Sequence, residues 1–261
     1  MSDREKILRY FKASGEGELA ARLLDLAEIV QKQRKYKVSD FLDPLGQSIA
    51  ETIVNQLGQM KLVLSGGYEG AERCKAAFVH DDFMGKVDFA ISAVSVTWDG
   101  RYYRLGHRDV LGSLIGLGLD REVLGDIILH GDSCQIIYDK SLHGFIFNNL
   151  VSIGAAAVSI EEIASEAIEP REQKVKEIRT TVPALRLDVV AAAGFGTSRT
   201  KMSDEIATAK VKLNWQDAKN SSVTVKPEDI ISIRGRGRVE VEEVIGTTKK
   251  GRISIVLKRF I

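Results

Sequence analysis

Residues 87–163 switch between two hydrophobic periods in a fixed order, and that order restricts the fold more than any other feature. "VDFAISAVSVTW" (87–98) alternates with period two, as a half-buried strand does. "HRDVLGSLIGLG" (107–118) sets Val110, Leu111, Leu114 and Ile115 at helical spacing, with glycines to end the helix. "GDIILHG" (125–131) and "SCQIIYD" (133–139) read as two strands around a Gly-Asp turn. "KSLHGFIFNNLV" (140–151) reads as a helix and "AAAVSIEEI" (155–163) as a closing strand. The order βαββαβ is that of the ferredoxin-like split unit, and it predicts such a domain over residues 73–165 within an α+β chain. Fold plan alone does not decide function. An RNA-recognition version carries stacking aromatics in a K/R-G-F/Y-G/A-F-V-x-F/Y strand, and none is present.

The flanks read differently. "EGELAARLLDLAEIVQKQRK" places Leu19, Leu23, Leu26, Ala27 and Val30 on one helical stripe. In "SDFLDPLGQSIAETIVNQLG", Asp43 is an N-cap before Pro44, and Leu45, Ile49, Ile53 and Leu57 recur every four residues. Residues 1–72 are therefore expected to be a helical packing or docking segment. Residues 166–181 are charge-dense, carry Pro170 and read as a linker with a short strand at its end. Residues 182–261 form a small α/β domain.

Charge separates these segments. Residues 76–165 carry six Lys or Arg against twelve Asp or Glu, whereas residues 166–261 carry nineteen against thirteen. The basic end is the nucleic-acid candidate, and the acidic middle leaves a protein partner open as an alternative. Two distant cysteines, Cys74 and Cys134, point to free thiols in a reducing, cytoplasmic compartment. The charged N-terminus has no signal-peptide pattern. Residues 141–160 lack Asp, Glu, Lys and Arg, but His143, Asn148, Asn149 and Gly154 argue for a buried helix and strand over a membrane span.

Catalytic patterns are fragmentary. Gly66, Gly67 and Gly70 in "LSGGYEGAER" lack the GK[ST] of a phosphate loop, and Glu72 would repel phosphates. His107-Arg108-Asp109 lacks the asparagine of a kinase loop, since position 114 is Leu, so these residues read as helix-start caps. "TKMSD" (200–204) has no HIGH partner, and "AAGFGTSR" (192–199) is not GxGxxG. His130, Asp132 and Cys134 straddle a turn, so turn chemistry is the default over a metal site. No catalytic residue, metal or cofactor is expected.

In the basic end, Leu187, Val190 and Ala193 share one face of a short helix that Gly194 and Gly196 break. Ser198 then caps a second helix whose first turn holds Arg199 and Lys201, against the helix dipole. An anion bound there offsets that cost. "KVKLN" places Lys210, Lys212 and Asn214 on one side of a strand. Farther on, "IRGRGRVEVE" alternates with period two. It predicts one continuous strand with Arg234, Arg236 and Arg238 in a row, ~7 Å apart. That row faces phosphates, or pairs with Glu240, Glu242 or the acidic middle domain; the sequence leaves both open.

Arg186-Leu187-Asp188, Ser198-Arg199, the Lys210–Asn214 strand and Asp229-Ile230-Ile231 together resemble the S-four domain, an RNA-binding fold named after a ribosomal protein. Ala209 and Trp215 stand where that pattern has glycine, which predicts a longer loop in place of a tight Asn-Gly hairpin. Trp215 then either stacks on a base or covers apolar surface. "GGYEGAER" and "GHRDVLGSLIGLGLDREVLGDI" upstream make nearly the whole chain similar to the YlmH family, whose variant in photosynthetic lineages bears the label photosystem II S-four domain protein. The resemblance implies non-catalytic binding of structured RNA of the translation machinery, ribosomal or transfer RNA, with a link to rescue of stalled ribosomes. Arg186, Arg199, Lys201, Lys210 and Lys212 would neutralise phosphates, and Ser198 and Asn214 would donate hydrogen bonds. The alternative readings are an RNA-modifying enzyme with an accessory RNA-binding domain, and a protein adaptor working through the acidic centre.

Overall fold

The helical stripes near the N-terminus form three helices, but strands interleave with them. The computed structural model describes residues 3–170, 174–233 and 235–260. It comprises two compact units, residues 1–171 and 172–261. The first opens with α1 (Asp3–Ser14), α2 (Gly17–Gln33), β1 (Tyr36–Leu42), α3 (Pro44–Leu57), β2 (Met60–Ser65) and β3 (Cys74–His80). Asp43 Oδ1 accepts from the Gly46 amide at 2.9 Å, so the expected cap of α3 is present. Leu23, Leu24, Ala27 and Val30 of α2 pack with Ile49 and Ile53 of α3 and Phe78 of β3. The wholly helical reading of residues 1–72 is thus corrected: β1, β3 and β2 form an antiparallel sheet in that order. β3 escaped notice because it is buried at every position, so no polar alternation marks it.

The next elements are β4 (Ile91–Trp98), α4 (His107–Gly116), β5 (Leu124–His130), β6 (Ser133–Asp139), α5 (His143–Asn149), β7 (Ser152–Ile153) and β8 (Ala156–Ile163). The expected βαββαβ order is present, with the two-residue β7 added. The sheet order is β5-β6-β4-β8-β7, and every pair is antiparallel. One face carries Val94, Val96, Cys134 and Ile136 against Leu114 of α4 and Ile146 of α5. Part of the other face is covered by Phe41 of β1, in a cluster with Ala93, Ile128, Ile137 and Ile168. Gly125 is what allows this approach. A Cβ there would lie 2.9 Å from the Phe41 ring and 3.0 Å from Ile137.

Polar contacts reinforce that packing. Lys75, buried on β3, pairs with Asp139 at the end of β6 and donates to the Phe89 carbonyl at 3.0 Å. The glycine-rich loop does hold an anion, but the anion is the protein's own. Asp126 accepts from the backbone amides of Glu72 (2.8 Å) and Arg73 (3.1 Å) and from the Tyr68 hydroxyl (2.7 Å). At the start of α4, Asp109 accepts from the Gly106 amide at 2.8 Å, which makes the carboxylate of His107-Arg108-Asp109 a cap. Both thiols are free and buried, and burial pushes Cys74 up to about 11 and Cys134 to about 12. No described helix is long and apolar enough to cross a membrane.

The second unit contains β9 (Val175–Val182), α6 (Leu187–Phe195), α7 (Arg199–Ala207), β10 (Val211–Leu213), β11 (Gln216–Asp217), β12 (Ile230–Ile233), β13 (Gly237–Thr247) and β14 (Ile253–Phe260). One antiparallel sheet runs β11-β10-β12-β13-β14-β9. The segment read as a linker therefore contributes β9, an edge strand. Leu187, Val190 and Ala191 of α6 bury against Ile231, Val239, Val241 and Leu257 of the sheet. Gly194 does not break α6, as its composition implied. It lies inside the helix, where a Cβ would meet Val239 at 2.7 Å. Gly196, at φ +63, ends the helix.

Candidate nucleic-acid interface

Three segments of the second unit meet at Asp188. Its side chain sits in the first turn of α6 and is 1% exposed. Arg186, just before α6, reaches it through Nε (3.1 Å to Oδ1) and Nη2 (3.1 Å to Oδ2). Arg199, which opens α7, donates Nε to Oδ2 at 2.9 Å. Ser203, one turn further along α7, donates at 3.4 Å. Burial alone would raise the Asp188 pKa. The hydrogen bonds from Arg186 and Arg199 outweigh it and hold the carboxyl below its usual value. The Asp188 amide donates in turn to the Ser221 carbonyl at 3.1 Å, which fixes the loop leading to β12.

This arrangement leaves a net positive charge facing outward. Two guanidiniums share one carboxylate. Arg199 uses only Nε on it, and no described residue engages its Nη groups, which are the fork that suits phosphate. Its side chain is 58% exposed, against 35% for Arg186. Ser198 caps α7 as expected, its Oγ accepting from the Lys201 amide at 3.3 Å, and Lys201 is exposed beside it. The cationic first turn of α7 thus has an anion after all, supplied by Asp188.

The second group of predicted residues lies at the other end of α7. The amides of Ala209 and Lys210 donate to the carbonyls of Ile206 and Glu205 and close the helix, with Ala209 at φ +53. Lys210 is exposed, and so is Lys212 on β10, with Asp217 of β11 3.8 Å away. The expected longer loop after β10 is corrected. Leu213 pairs with Gln216, and Asn214 and Trp215, at φ +49 and +64, form a two-residue hairpin. Asn214 can take that conformation because its amide is tied on both sides. Its Oδ1 accepts from the Ile230 amide and its Nδ2 donates to Asp229, both at 2.9 Å. These bonds make Asn214 a brace of the hairpin and use one of the two hydrogens of its Nδ2.

The single strand expected through Arg234, Arg236 and Arg238 is not formed. The chain reverses: β12 ends at Ile233, which pairs with Gly237 at the start of β13. The Arg236 amide donates to the Ile233 carbonyl at 2.9 Å, with Gly235 at φ +80 and Gly237 at φ +84. A period of two sets Gly235 and Gly237 on the apolar face, where they bury nothing, and both adopt backbone angles suited to a turn. Arg236 turns inward, donating Nη1 to both Glu205 oxygens (3.0 and 2.9 Å) and lying 5.4 Å from the Phe195 ring centre. Arg238 lies over Phe260, 4.6 Å from the ring centre. Arg234 lies outside the described residues. The residue that composition missed was Asp188: an acidic residue in a basic domain gives no charge signal, although the Arg-Leu-Asp triplet contained it.

Two family models match the first unit: "YlmH, N-terminal" over residues 16–83 and "Putative RNA-binding domain in YlmH" over residues 85–167. A relative from Bacillus subtilis (strain 168), "Ribosome-associated protein quality control protein P2", is 33% identical over 261 residues, 99% of either chain. The solved structure "Cell division protein ylmH from Streptococcus pneumoniae" superposes with a TM-score of 0.51 over 59% of this chain and 95% of that one. At 22% identity, that likeness is one of fold.

Proposed function

The chain belongs to the YlmH family, and from that premise we propose that it is a non-catalytic, ribosome-associated RNA-binding protein of the cytoplasm. In this reading the C-terminal unit is an S-four-type domain and grips structured RNA, ribosomal or transfer, chiefly by its backbone. The observation that carries it is the Asp188 anchor, which presents Arg186 and Arg199 together while leaving the Nη fork of Arg199 for a phosphate. Lys201 on α7, Lys210 between α7 and β10, and Lys212 on β10 add exposed cations. Such contacts position a duplex or folded RNA without reading its sequence. The printed name of the Bacillus relative supports a place in quality control of translation, with rescue of stalled ribosomes as the specific role. A non-catalytic assignment is supported by the thiols, which burial holds protonated, and by Asp109, which serves as a cap.

Co-sedimentation with purified ribosomes tests this reading. Wild-type chain is expected in the ribosomal fractions and Arg199→Ala/Lys212→Ala chain, which keeps Arg186 on Asp188, at the top of the gradient, with unchanged circular dichroism. Equal sedimentation of the two would overturn it.

A further inference from the structure

The family model over residues 85–167 points to RNA contact in the first unit, and we infer that this contact is a cleft between the β4–α4 loop and the β5–β6 turn that takes an unpaired nucleotide. The cleft measures about 670 Å³, and its walls include Trp98, Arg101, Tyr103, Arg104 and, from the β5–β6 turn, Asp132. It is separate from the Asp188 site and does not depend on it.

Three observations converge here. The first is charge. Residues 76–165 hold only six Lys or Arg, and three of them, Arg101, Arg104 and Arg108, fall within residues 101–108. Arg101 is pinned to Asp99 by two hydrogen bonds (2.7 and 3.0 Å), but no described residue pairs with Arg104 or Arg108, and both are exposed. The second is exposed aromatic surface. Tyr103, which lines the cleft, is 36% exposed; its neighbour Tyr102, outside the lining, is 77% exposed, and Arg101 lies 5.6 Å from the Tyr102 ring centre. Aromatic rings interleaved with arginines stack on bases while the cations hold the backbone. The third is an unsatisfied donor. Trp98 is 7% exposed and forms a wall of the cleft, and its buried indole N–H has no partner among the described residues. That donor is closed off from solvent, so a shift of the β4–α4 loop on binding would bring it to a base or ribose oxygen.

The alternative surface of this unit is the sheet face away from α4 and α5. It does not offer the same chemistry. Its open part is lined by Ser95, Thr97, Ser159, Ile160 and Glu161, with no ring to stack on and a carboxylate to repel phosphate. The stacking chemistry that a ferredoxin-like RNA binder places on its strands is here on the loop. Asp132 and Asp99 border the cleft as well, so the contact favours a base and its ribose over a cluster of phosphates.

The probe is a short oligouridine titrated into the full chain carrying Trp215→Phe, which leaves Trp98 as the only indole. Saturable change in Trp98 emission is expected. Tyr102→Ala/Tyr103→Ala and Arg104→Ala should each weaken the oligouridine by roughly fivefold or more, and Tyr102→Phe/Tyr103→Phe should restore it. Adding Arg199→Ala and Lys212→Ala, which disable the C-terminal site, should leave the Trp98 signal in place. The inference is overturned if Trp98 does not respond, if the loop variants bind as tightly as the parent, or if the signal disappears with the C-terminal substitutions alone. Protein-partner capture that depends on Tyr102 without any oligouridine response would likewise overturn it.

Discussion

Burial strips the Asp188 carboxylate of water, and Arg186, Arg199 and Ser203 take the place of that water. The sign of the resulting linkage is set by the depressed pKa. The carboxylate contributes stability above its unfolded value of about 4, and the contribution is lost as pH falls through the lower folded value. We expect Asp188→Asn to cost the second unit about 2 kcal/mol at neutral pH, since two charge-assisted hydrogen bonds weaken together. Its urea midpoint should also lose part of the parent's fall in acid. RNA affinity should drop as well, because the guanidiniums are no longer held in one orientation. Urea titrations at neutral pH and near pH 3 check the first part, and RNA titration of the folded variant checks the second. A midpoint equal to the parent's at neutral pH would contradict the anchoring role.

At the scale of elements, two turns show where sequence patterns carry and where they fail. The cap of α7 by Ser198, the cap of α3 by Asp43 and the stripe of α2 follow from local chemistry, and all three were legible. The Arg-Gly turn and the Asn214–Trp215 hairpin were not. Their backbones leave the usual regions for reasons distant in sequence: Gly237 lies against the Phe260 carbonyl, 2.6 Å from where a Cβ would sit, and Asn214 is braced from Asp229 and Ile230. Ala209 lies between these cases. Its departure from glycine was visible in the sequence, but the left-handed backbone that alanine disfavours there was not. Ala209→Gly should stabilise the second unit by about 1 kcal/mol, read from its urea midpoint. No gain would mean that the closing turn of α7 is not strained.

At the scale of the whole molecule, the two units have separate cores, and each holds one tryptophan: Trp98 in the first and Trp215 in the second. Unfolding is therefore expected to be resolvable by fluorescence. In chains with one indole removed, Gly125→Ala should lower the Trp98 transition by about 1–3 kcal/mol, through overpacking against Phe41 and Ile137, and leave the Trp215 transition in place. Ala209→Gly should shift only the Trp215 transition. A single transition that moves with either substitution would show that the units unfold together. The βαββαβ order was readable because each segment has a clean period. The N-terminal sheet was not, because β3 is buried throughout and neither β1 nor β2 alternates strictly between buried and exposed positions.

The central claim is that the C-terminal cations hold RNA through phosphates while Arg236 holds the fold. Salt dependence of RNA affinity tests it most directly. With Arg186, Arg199, Lys201, Lys210 and Lys212 engaged, log K against log salt should have a slope of roughly −3.5 to −4.5. Arg199→Ala/Lys212→Ala should reduce the magnitude of that slope by about 2. Arg236→Ala, which breaks the pair with Glu205, should lower the urea midpoint and leave the slope of the folded protein unchanged. A slope that is the same in wild type and Arg199→Ala/Lys212→Ala, or one that falls with Arg236→Ala instead, would contradict the account.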